Sequence, residues 1–158
     1  MASEQVQGIV NRLRAAQESF EKEVAAIPAD RFHQAPKEGE WSPAHIVAHV
    51  CESPSFFAAK IVRVTKEDDV FYGRTKEEGA VRLQAIAEHA GDSKDVALRR
   101  LKQVSADVVK TLAALSDDQL ARAGRHPQHG TFTIQQGIDY IIAHINEHVQ
   151  QLADMRAK

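Results

Sequence analysis

Two pairs of histidines stand four residues apart in this chain, His45/His49 and His144/His148, among eight histidines in 158 residues. Residues four apart project from the same side of a helix, with their Cβ atoms about 6 Å apart. Two imidazoles placed this way can reach one ion, at metal–nitrogen distances of about 2 Å. His144 follows Ile141 by three and His148 follows Ile145 by three, so both lie along the edge of an apolar stripe. His49 follows Ile46 by three and leans inward in the same way. An imidazole pushed toward a core must find a partner, and three aimed at one place can share a divalent metal. A histidine on an inner helix edge serves equally as a hydrogen-bonded core residue. Spacing therefore makes His144/His148 a candidate pair and leaves His49 one candidate among several. His33, His89, His126 and His129 fall in loops or near helix ends and read as solvated, with His126 and His129 able to fold over a site mouth.

Three neutral imidazoles on one ion would leave positions open for water or substrate, the ligand arrangement of a catalytic site. Such an ion acidifies water or polarises a carbonyl or thiol. The HExxH protease motif is absent, because positions 145–147 read Ile-Asn-Glu. Glu147 is turned about 100° from His148, which suits a supporting or surface residue better than a base aimed at the ion. Cys51, two after His49, points about 160° away from it and reads as a small buried hydrophobe. Gly137, seven before His144, fits either close helix packing or room for a substrate, since glycine inside a helix costs about 1 kcal/mol relative to alanine. Gln151 is placed to hydrogen-bond a ligand, Trp41 to anchor packing, and Phe56 and Phe57 to form core.

Long amphipathic helices must position these residues. Val6, Ile9, Val10, Leu13, Phe20 and Val24 recur at helical steps from about Ser3 to Ile27, and Pro28 stops the run. Ser42 as N-cap and Pro43 at the first helical position open a second helix, whose stripe is Ile46, Val50, Phe57, Ile61 and Val64. Pro54 inside it predicts a kink or a break. A short helix is predicted over Gly79 to Ala90. A long one, capped by Ser93, runs to about Leu115, and Ser116 with Gln119 suggests one more turn. Gly124 to Phe132 reads as loop. Thr133 with Gln136 opens the last helix, whose face is Ile134, Ile138, Ile141, Ile145, Val149 and Leu152. Two-residue alternation is confined to Thr131–Ile134, so no sheet is expected.

The bulk numbers narrow the function classes. At 158 residues, 43% hydrophobic and 27% charged, the chain fits one domain spanning 1–158. A net charge of −2 gives no basic face for a nucleic acid. No apolar run approaches the roughly 20 residues needed to span a bilayer. A single cysteine fits a reducing compartment. With no signal-peptide layout in MASEQVQGIV, the reading is a cytoplasmic protein without a membrane or nucleic-acid partner.

The segments WSPAHIVAHV (41–50) and HINEHVQQL (144–152) resemble the two signatures of the DinB/YfiT-like superfamily, and GTFTIQQGIDYIIAHINEH matches its way of opening the last helix. The resemblance implies an all-α fold, a four-helix bundle running up-down-down-up with a long crossover. It implies a divalent metal, zinc or nickel, on His49, His144 and His148, and a homodimer. Relatives include S-transferases using low-molecular-weight thiols, thiol-dependent isomerases and metal-dependent hydrolases, so the implied function is a metal-dependent transferase or hydrolase acting on a small-molecule substrate. A non-catalytic bundle holding a metal or small molecule for stress response would use the same residues. The position of His45 is commonly glutamate in this family. His45 stands as a catalytic base, as a fourth ligand, or as a solvent-facing residue.

Overall fold

The computed structural model describes residues 2–158. Four long helices build the bundle: α1 (Glu4–Ala26), α2 (Pro43–Val64), α4 (Lys94–Ala113) and α6 (Ile134–Ala157). Between them lie a 3-10 turn (Ala29–Arg31), α3 (Lys76–His89), the single turn α5 (Asp117–Leu120), and the strands β1 (Ala123–His126) and β2 (Gly130–Thr133). Each long helix starts where its cap predicts. The side chains of Ser3, Ser42, Ser93 and Thr133 each accept a backbone N–H of the first turn.

Side-chain contacts fix the directions. Gln5 meets Gln135, Arg12 meets Asp139, and Glu23 meets Arg156, so α1 and α6 run parallel. Gln17 bonds the Ser105 carbonyl and Lys94 bonds the Ala25 carbonyl, so α1 and α4 run antiparallel. His49 meets His144 and Phe57 meets Tyr140, so α2 opposes α6. The result is up-down-down-up. α1 packs on α4 and α6, and α2 packs on the same two helices, so α1 and α2 sit diagonally. Because α2 and α4 point the same way, the chain between them must travel back along the bundle. That crossover carries α3 and lays it against α2.

α2 is covered by α3, α4 and α6, and so is buried round most of its circumference. This packing carries the helix through Pro54 without the break its sequence allowed, since tertiary contacts outweigh local propensity. Phe56 and Phe57, expected in the core, are only half-buried, with Phe57 meeting Tyr140 of α6. α3 itself begins at Lys76, three residues before Gly79, because Thr75 and Glu78 close a reciprocal capping box.

The segment expected as loop contains a hairpin. β1 pairs antiparallel with β2, Ala123 opposite Thr133 and His126 opposite Gly130. Residues 127–129 form its turn, closed by Gly130 at φ +68°, as three-residue hairpin loops favour. The His126 Nδ1 accepts the N–H groups of Gln128 and His129. Among the eight strand residues only Gly124 and Phe132 are buried. Backbone pairing holds these strands, leaving almost no hydrophobic alternation to read. Val70 and Tyr72 in the crossover pair with Arg125 and tie the crossover to this hairpin. Tyr72 then packs its ring over Gly137, where a Cβ would come within 3.2 Å of the ring. Of the two roles open to Gly137, close packing is the one observed. No helix among the described residues is long and apolar enough to cross a membrane.

Candidate metal centre

His49, on the second turn of α2, and His144 and His148, in the middle of α6, converge. One ring nitrogen from each lies within 4.8 Å of the others. His144 is the hub: its Nε2 is 3.2 Å from the His49 Nε2 and 3.3 Å from the His148 Nε2. The rings meet edge to face, with centroids 4.7 to 5.0 Å apart. The antiparallel crossing of α2 and α6 makes this possible. It sets the inward edge of one helix against the inward edge of the other at the same height. His49 is 5% exposed, while His144 and His148 are half-buried.

Burial dominates the electrostatics. It lowers the His49 pKa from 6.5 to about 3, helped by the neighbouring imidazoles and by Arg82 and Arg74. It lowers His144 to about 4, with His148 adding to the effect and Glu147 opposing it. Both rings are therefore neutral at pH 7 and present lone pairs. Hydrogen bonds on the far side of two rings fix their tautomers. The Nδ1–H of His148 donates to Gln151 Oε1 at 2.7 Å, which leaves the Nε2 lone pair facing the cluster. The His49 Nδ1 faces Arg82 Nη2 at 3.4 Å, and a guanidinium can only donate, so the His49 proton sits on Nε2.

With Gln151 presenting its oxygen to His148, the His49 Nε2–H can donate to His144, and the lone pairs of His144 and His148 then face each other at 3.3 Å. A cation among the three nitrogens would remove that contact. The donor set, all imidazole nitrogen and partly open, is one that zinc or nickel takes readily.

The surroundings are aromatic and cationic. Trp41 is half-buried and packs against the core, as its anchoring role requires, yet its ring also stands 5.2 Å from that of His49. Tyr140, one turn before His144, stacks parallel to it at 6.1 Å, and His126 reaches within 6.2 Å of Tyr140. Arg74 is paired with both oxygens of Glu52 and lies over the Phe56 ring. Sequence reasoning missed Arg74, Arg82 and Tyr140. The Thr75–Glu78 capping box signals where α3 starts, but nothing in it brings Arg74 or Arg82 to His49.

His45 stays outside the group. Its Nδ1 lies 2.8 Å from Ser42 Oγ. Cys51 is buried, its thiol pushed up in pKa by burial, and takes no part. Glu147 is exposed. Trp41 leads into α2 and the hairpin at His126 leads into α6, and because these helices are opposed the two lie toward opposite ends of the bundle with the histidines between them.

The fold is similar to that of proteins of solved structure. The mycothiol-dependent maleylpyruvate isomerase superposes with a TM-score of 0.77 at 14% identity, over 93% of this chain and 60% of its own. This chain therefore spans about 60% of the length of the isomerase. YfiT from Bacillus subtilis, described as a probable metal-dependent hydrolase with an unusual four-helix bundle topology, gives 0.76 at 16% identity, over 98% and 87%. The colibactin self-resistance protein ClbS, solved in complex with double-stranded DNA, gives 0.70 at 14% identity, over 97% and 96%. No curated protein matches the sequence. A family profile described as the DinB superfamily matches residues 12–152. The chain belongs to the DinB superfamily.

Proposed function

We propose that this protein is a metal-dependent enzyme in which His49, His144 and His148 hold one divalent ion, zinc or nickel. It acts on a small molecule, by transfer of a low-molecular-weight thiol or by hydrolysis. The observation that carries the proposal is the convergence of three ring nitrogens within 4.8 Å of one another, one of them on a buried imidazole. The isomerase of this fold uses mycothiol and YfiT is described as a probable metal-dependent hydrolase, which supports both chemistries.

When bound, the ion would supply a Lewis acid with open positions, which lowers the pKa of water or of a thiol. The rest falls to the chain. Burial keeps His49 and His144 neutral well below pH 7. Gln151 holds the His148 ring in the tautomer that aims its lone pair inward. Trp41 and Tyr140 flank the cluster with aromatic rings, beside His49 and His144. His45 is the further histidine able to move a proton, because Ser42 engages its Nδ1 and leaves Nε2 free.

The test is the metal content of protein purified without a histidine tag. One equivalent per chain is expected, either as isolated or after adding zinc or nickel. Less than about a tenth of an equivalent after loading overturns the proposal. Turnover of electrophiles with thiol cofactors, or of amides with water, should then appear with the metal and vanish on chelation.

A further inference from the structure

We propose that Arg82 is a carboxylate-binding subsite beside the histidine cluster, so that the small molecule handled there carries an anionic carboxylate. The inference rests on the metal reading above and specifies its substrate class.

Two arginines from the crossover face the histidines, and they differ in one respect. Arg74 is neutralised by both oxygens of Glu52, with each side chain 17% exposed. Arg82, on α3 and half-buried, forms no ion pair with any carboxylate of the described residues. Its guanidinium carbon lies 5.8 Å from the Trp41 ring centroid. Its polar contact is the neutral His49 Nδ1, at 3.4 Å, longer than a good hydrogen bond. A guanidinium offers five donors in a planar fork that matches a carboxylate. A partly desolvated one without a counter-charge is costly unless a ligand provides the charge.

Loading the cluster sharpens the mismatch. A cation on the His49 Nε2 moves that ring's proton to Nδ1, which then faces Arg82 as a second donor. Arg82 loses its acceptor and gains a cationic neighbour, while three imidazoles add no negative charge. An incoming carboxylate relieves both repulsions, and the Trp41 face supports the guanidinium from one side.

The experiment uses the full chain loaded with cobalt(II), whose visible absorption reports on ligands entering its coordination sphere. The probes are 3-mercaptopropionate and its methyl ester, which share the thiol and differ in the charge. Cobalt uptake is scored first, and its failure overturns the metal reading and this inference with it, whereas the outcomes below bear on Arg82 alone. With cobalt bound, the acid should bind at least about tenfold tighter than the ester, a typical difference for a charge-assisted contact. Arg82→Gln should take up cobalt normally and lose that preference. Arg82→Lys should keep part of it. A preference that persists in Arg82→Gln places the carboxylate elsewhere and overturns the inference. So does equal binding of acid and ester by the unaltered chain, or no spectral response to either thiol.

Discussion

The two histidine pairs have the same spacing and different fates. On α6 both members reach the cluster. On α2 only His49 does, while His45 turns back to Ser42. The difference lies in where each pair sits along its helix. His144 and His148 occupy mid-helix turns, where backbone groups are satisfied within the helix and the side chain is free to reach across. His45 is the third residue of α2, the position whose side chain returns to the cap. In α3, α5 and α6 that position holds Glu78, Gln119 and Gln136, and each accepts the N–H of its cap residue. His45 takes the same direction with an imidazole, against the Ser42 hydroxyl. Four-residue spacing decides which side of a helix two side chains share, and position along the helix decides what each one meets.

The largest expected effect breaks the working pair. His144 contacts both other imidazoles, so His144→Ala removes a ligand and the hub together. Metal affinity should fall by more than about 100-fold, beyond the 10- to 100-fold typical of losing a supporting partner. Competition with a chromophoric chelator measures it. A loss under tenfold would mean that the three histidines do not bind as one unit.

The next effect is on the metal-free protein. His49 and His144 have pKa values near 3 and 4 when folded, against 6.5 for a free imidazole. Between those values the unfolded chain binds more protons than the folded one, so stability rises with pH across that range. Stability should be flat in this respect above pH 6.5 and fall steadily as the pH drops toward 4. The urea midpoint of the chelated protein, followed from pH 7 to pH 4.5, measures the fall. His144→Ala should make it shallower, because one buried imidazole and its repulsion of His49 are gone. An equal slope in the variant would show that the fall arises elsewhere.

Much of this arrangement was legible in the residues themselves. Ser42-Pro43 and Thr133/Gln136 marked the starts of the two ligand-bearing helices, and the isoleucines three residues before His49, His144 and His148 marked the inward edges. Apolar stripes do not say which helices run parallel, and the up-down-down-up order with its crossover came from the family resemblance alone. That order makes the crossover necessary and lays α3 beside the cluster. Arg82 and Arg74 were invisible for this reason: their proximity to His49 is set by chain return and not by spacing. The hairpin escaped because it is held by backbone pairing and a Gly130 turn, with only Gly124 and Phe132 facing inward. His45 stood open between base, ligand and solvent-facing residue because four-residue spacing does not say that its ring turns back to the cap at Ser42.

The smallest expected effect sharpens the comparison from the idle side. If His45 belongs to the start of α2, His45→Ala leaves the metal dissociation constant within about twofold, since no ligand or supporting bond is lost. Its cost is in the fold: the Ser42 hydroxyl loses a partner, worth about 0.5–1 kcal/mol. His45→Glu goes further, because it writes the Ser-x-x-Glu box that α3 forms with Thr75 and Glu78. It should therefore be at least as stable as the unaltered chain, by a few tenths of a kcal/mol up to about 1. Thermal unfolding of the metal-free variants ranks the three. A tenfold loss of metal affinity in His45→Ala would reverse the reading, because α2 would then also act through a pair. His45 would have to leave Ser42 when the ion arrives, and cap and ligand would be competing uses of one side chain.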